Sequence, residues 1–181
     1  MSWESALLDV FEDLEQQAAG LRLGERDLEV ADLARSEYAR VALAERCHAS
    51  RGRRVSLRLV GGTRLEAELV RVGGDWLLLD DGPSQWLVPQ RAVAVAGGLS
   101  PRADAQEAWS VVDRLPLRSL LRRLGESGEA CVVHLRDDHR VEGLVGRVGQ
   151  DFLEVLVGEA GARGVQVVAV DQVAAVRGRL G

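Results

Sequence analysis

Residues 55–79, VSLRLVGGTRLEAELVRVGGDWLLL, recur as residues 131–155, CVVHLRDDHRVEGLVGRVGQDFLEV, at an offset of 76 with no gap. Leu59 meets Leu135, Arg64 meets Arg140, Glu66 meets Glu142 and Arg71 meets Arg147. Val72-Gly73 meets Val148-Gly149, Asp75 meets Asp151, Trp76 meets Phe152 and Leu77 meets Leu153. An insertion around Gly158–Gly164 shifts the offset to 80, after which Val88 meets Val168, Val93 meets Val173 and Gly98 meets Gly178. Agreement of charged, glycine and aromatic positions together reads as one module carried twice.

Each copy reads as a series of short strands. Val55, Leu57 and Leu59 alternate with Ser56 and Arg58, the pattern of a half-buried strand. Gly61-Gly62 makes a hairpin turn, and Leu65, Ala67 and Leu69 alternate with glutamates in a second strand. Gly73-Gly74-Asp75 turns into a third strand at Trp76–Leu79; a fourth follows at Gln85–Val88 and a fifth at Ala92–Ala96. Five short strands in so few residues predict a curled sheet, a small barrel. The expected fold is therefore α+β and mainly β. Residues 1–50 form a helical hairpin, 51–98 a first five-stranded barrel, 99–128 a linker with a short helix, and 129–181 a second barrel.

The helical expectation for residues 1–50 rests on spacing. Trp3, Leu7, Val10, Phe11, Leu14, Ala18 and Leu21 recur three and four apart, and Gly20 and Gly24 mark a break. Leu28, Ala31, Ala34, Tyr38, Val41 and Ala42 give a second stripe, from about Glu25 to Ala49. In the linker, Leu117, Leu120, Leu121 and Leu124 follow Pro116 as an amphipathic helix that Gly125 should stop.

A helix followed by a bent five-stranded barrel resembles the Sm-like fold of Sm, LSm and Hfq proteins. Residues 132–157, VVHLRDDHRVEGLVGRVGQDFLEVLV, look like the first Sm motif, with Gly143 in strand two and Asp151 opening strand three. VPQRAVAVAGG and VAVDQVAAVRG occupy the place of the second motif. Other SH3-like barrels share the alternation. The resemblance implies a nucleic-acid or subunit-binding barrel, yet the base-holding Asn of Sm proteins is replaced by Leu79 and Val155, and the chain has no Asn at all. The whole chain also resembles a group of proteins from GC-rich bacteria sometimes labelled transcriptional regulators, which implies a regulatory role by label alone.

Composition narrows the classes. All 23 basic residues are Arg, with no Lys and no Ile, a bias that GC-rich coding explains without selection for phosphate. Residues 1–50 hold 11 acids against 5 Arg, so the net charge of −5 resides at the N-terminal end and argues against a wholly polyanion-binding chain. The start lacks the apolar region of a signal peptide, and no apolar run is long enough for a bilayer, so a cytoplasmic protein without membrane contact is expected. Cys47 and Cys131 are too few for a disulfide framework.

No nucleophile elbow, phosphate loop or zinc spacing appears, so a non-enzyme without cofactor or metal is expected. Cys131 takes the place of Val55, a core position, rather than acting as a metal ligand with His134 and His139. Cys47 and His48 end a helix with no third group beside them, and Asp75 and Asp151 read as turn-closing carboxylates. By strand parity Trp76 and Phe152 face outward. Arg51, Arg53, Arg54 and Arg58 form a basic cluster that Arg118 and Arg122 could extend. These residues are the candidate surface, for a protein partner or self-association first, and for RNA or single-stranded DNA as the alternative.

Overall fold

Alternation is the local cause of the first two strands. Arg54–Leu59 (β1) and Arg64–Val72 (β2) bury Val55, Leu57, Leu59, Leu65, Ala67 and Leu69 and expose the polar residues between them, because successive strand side chains point to opposite faces. The structure is a computed structural model that describes residues 32–158 and 164–179. Trp76–Asp80 (β3), Ser84–Pro89 (β4) and Val93–Gly97 (β5) complete the first series. Ala130–Leu135 (β6), Arg140–Val148 (β7), Phe152–Val157 (β8), Gly164–Ala169 (β9) and Val173–Arg179 (β10) form the second. A single 3-10 turn links β4 to β5 and another links β9 to β10.

The two closed barrels expected from the repeated stretch are not what these strands build. They form one open antiparallel sheet of ten strands in the order β5-β1-β2-β3-β4-β10-β6-β7-β8-β9. The joint lies between β4 and β10, where Leu87 faces Val176, Trp86 faces Arg177, Gln85 faces Gly178 and Ser84 faces Arg179. The outer edge of β4 is thus bonded to a strand far away in sequence, and the recurring stretch yields neither a separate Sm-like nor a separate SH3-like module. Alternation specifies which face of a strand is apolar. It carries no information on which distant edge the strand will meet.

Apolar side chains gather in two clusters. Leu57, Leu69, Leu77, Leu79 and Val88 are central to the first; Leu121, Val133, Leu153, Val155 and Val173 to the second. Each fully buried side chain of this size contributes roughly 1.5–3 kcal/mol. Cys131 is 2% exposed within the second cluster, as its match to Val55 predicts.

The helical hairpin is also corrected. The chain divides into two units, Met1–Val41, of which residues 32–41 are described, and Ala42–Gly181. The first expected helix and the start of the second lie outside the described residues. Residues 32–38 are helical and end in a turn, where the Arg40 amide donates to the Glu37 carbonyl and the Val41 amide to that of Tyr38. In the second unit a separate short helix, Leu43–His48 (α1), starts with the Ala42 amide donating to the Glu45 carboxylate at 2.8 Å, and packs against β2.

The longer helix, Leu117–Ser127 (α2), begins after Pro116 and packs against β7. It runs through Gly125, the expected stop, and ends at Gly128, whose φ of +67° is easy only for glycine. Gly125 serves close approach instead. A Cβ there would lie 3.0 Å from the Gly146 carbonyl oxygen.

Candidate functional site

The aromatic expected on the surface is inside. Trp76 is 1% exposed and shares the second cluster with Leu117 and Leu121 of α2. Its ring lies over Gly73, where a Cβ would come within 2.3 Å of the indole. The indole N–H donates to the Leu115 carbonyl at 2.7 Å. The Asp75 carboxylate does not close its own turn. It accepts the Leu117 amide at 3.0 Å and caps α2. Trp76 and Asp75 together fasten α2 to the start of β3. Phe152 lies over Gly149 in the same way, but remains 36% exposed.

The predicted arginine cluster is spread out and interleaved with acids. Arg51 places Nη1 3.8 Å from the Asp113 carboxylate. Arg53, Arg54 and Arg58 are exposed. Arg54 faces Glu68 across β1–β2 and donates to the Glu66 carbonyl, whereas Arg58 faces Arg64. Arg118 and Arg122 are exposed on α2. With Trp76 buried, this set has no indole on which a base could stack.

Sequence reading missed a polar lock around His48. Its imidazole is 5% exposed, meets the Asp104 carboxylate at 2.8 Å through Nδ1, and stacks on Trp109 at 4.7 Å between ring centres. Its Nε2 lies 3.7 Å from the buried Asp113 carboxylate, which also accepts the Ser110 hydroxyl at 2.6 Å. These contacts hold the segment after β5 against α1. Only the local Ser110–Asp113 spacing was a sequence signal; Asp104 is 56 residues from His48. Burial pushes the Cys47 and Cys131 thiols up to about 11, so both are protonated at neutral pH and poorly nucleophilic.

What the fold leaves reactive is the pair of outer strands. β5 reads VAVAG and β9 reads GVQVVA, with no charge and no proline in either. Val95, Val165 and Val167 are 47%, 57% and 66% exposed. Interior β2, by contrast, carries Arg64, Glu66, Glu68 and Arg71. Sheet edges are ordinarily protected by charge, proline or a bulge. Here both end strands lack charge and proline and present outward valines; β5 carries one register shift against β1, between Val93 and Val95, and β9 pairs with β8 without any.

Among the described residues no helix is long and apolar enough to cross a membrane. No protein-family model and no curated protein matches the sequence.

Proposed function

We propose that the chain is a non-catalytic binding protein that acts by strand addition, with β9 of one copy pairing antiparallel with β5 of the next. The observation that carries this reading is the uncharged, valine-bearing edge at each end of the sheet. An outer strand offers a row of unpaired N–H and C=O groups, and a second strand satisfies them while covering the adjacent apolar side chains. Pairing two different edges is head-to-tail, so copies add in a ring or an open filament. The joint of β4 with β10 supplies the precedent for such pairing between distant strands. The two buried free thiols, Cys47 and Cys131, suit a reducing cytoplasm.

Light scattering across a concentration series tests the reading. Mass should rise with concentration in the full chain, and Val167→Lys or Val95→Lys should each hold it at the monomer. A chain that stays monomeric at the highest concentration, or variants that associate as readily as the parent, would overturn it.

A further inference from the structure

One histidine near the β4–β10 joint is buried without a partner. His134 is 4% exposed, and neither ring nitrogen has a hydrogen bond. A neutral imidazole carries one donor and one acceptor, and leaving such a group unpaired inside a protein is destabilising. The ring lines a cavity together with Trp86, Arg64, Arg140 and Arg177. None of these three guanidiniums has an ion pair or hydrogen bond among the described residues.

The fold builds this convergence from distant pieces. Arg64 opens β2 just after the Gly61-Gly62 turn, and Gly61 approaches the β6–β7 turn so closely that a Cβ would lie 2.7 Å from the Arg136 carbonyl oxygen. The touching turns carry Arg64 toward Arg140, which faces His134 directly across β6–β7. Arg177 faces Trp86 across β4–β10, with its guanidinium 5.5 Å from the indole centre. The indole lies 5.1 Å from the His134 ring. Asp138, with a φ of +69°, is the acid among the lining residues, so three positive charges meet one negative.

We infer that this cavity binds a phosphate group, held by Arg64, Arg140 and Arg177, with the neutral His134 ring beneath them. Planar guanidinium forks match the several oxygens of phosphate, and three converging forks exceed what the two oxygens of a carboxylate can use. Burial, with Arg140 and Arg177 nearby, pushes His134 down to about 4, so at neutral pH the ring is uncharged and the positive charge of the cavity comes from the arginines. Orthophosphate, a nucleotide monoester and a nucleic-acid backbone all present this group. None of the residues invoked lies on β5 or β9, so the inference is independent of strand addition.

The test follows the His134 ring resonances of the full chain by NMR against inorganic phosphate, adenosine monophosphate and a short single-stranded RNA in parallel. Inorganic phosphate should shift them saturably. Arg64→Gln, Arg140→Gln and Arg177→Gln should each weaken binding about tenfold, while Arg53→Gln leaves it unchanged. These arginines are exposed, so the variants should keep the parent circular dichroism. Tighter binding of the monophosphate identifies a nucleotide monoester. Tighter binding of RNA, steeply weakened by salt, identifies a backbone. Unsaturable shifts, equal binding by the arginine variants, or binding of RNA or nucleotide without inorganic phosphate would each overturn the inference.

Discussion

Asp75 caps a helix that begins 42 residues further along the chain: its carboxylate oxygens accept the Leu117 amide at 3.0 and 3.2 Å. Pro116, at the N-cap position of α2, has no side chain able to accept that bond. A carboxylate also suits the positive end of the helix dipole. Asp75→Ala should therefore lower stability by about 1 kcal/mol, and Asp75→Asn should retain most of it. Urea unfolding measures both, and an unchanged midpoint in Asp75→Ala would remove the cap from the account.

Trp76 anchors the same junction from beneath. Trp76→Phe keeps much of the buried area but leaves the Leu115 carbonyl without its indole donor, at a cost of about 1–2 kcal/mol. Trp76→Ala should cost about 3–5 kcal/mol. A surface aromatic would give losses within about 0.5 kcal/mol for either. The two substitutions in one unfolding series thus decide between an interior and an exterior Trp76.

That burial shows where sequence reading reached and where it stopped. The core positions of β1 and β2 follow from alternation, and Cys131 as a core residue follows from its match to Val55. Trp76 does not follow, because parity assumes one buried face and an unbroken ladder. The β2–β3 register shifts between Leu69 and Arg71, and α2 covers the second face of β3 at Trp76. The pairing of β4 with β10, the His48–Asp104 contact and the convergence of Arg64, Arg140 and Arg177 join segments far apart in the chain. No local pattern encodes which of many compatible partners meet. The candidate surface loses Trp76 to the interior for the same reason, while Arg53, Arg54, Arg58, Arg118 and Arg122 stay exposed.

Gly143 separates the two kinds of reading sharply. Its match in the first stretch is Ala67, which is fully buried without difficulty, so sequence comparison makes Gly143→Ala look neutral. In the fold a Cβ at Gly143 would lie 2.3 Å from the Leu156 carbonyl oxygen, closer than real contacts allow. Backbone must move, and such overpacking costs about 1–3 kcal/mol. Thermal unfolding of Gly143→Ala should show a clear drop in midpoint. An unchanged midpoint would mean that β7 and β8 are less closely apposed at this position.

His134 gives the fold a specific pH dependence. Burial first, and then the charges of Arg140 and Arg177, depress its folded value to about 4 from the usual 6.5, against a smaller opposing effect of Asp138. Between these values the unfolded chain binds a proton that the folded chain excludes, so acidification favours unfolding. The stability due to a neutral His134 is fully present above about 6.5 and is lost as pH falls toward 4, at up to roughly 1.4 kcal/mol per pH unit. Below about 4 both states carry the proton and this contribution to the slope ends. His134→Leu removes the titration while leaving the carboxylates in place, so the difference between the parent and variant stability curves isolates it. That difference should change with pH across this window. A flat difference would show that the folded imidazole accepts a proton as readily as the unfolded one, contrary to its burial against two guanidiniums.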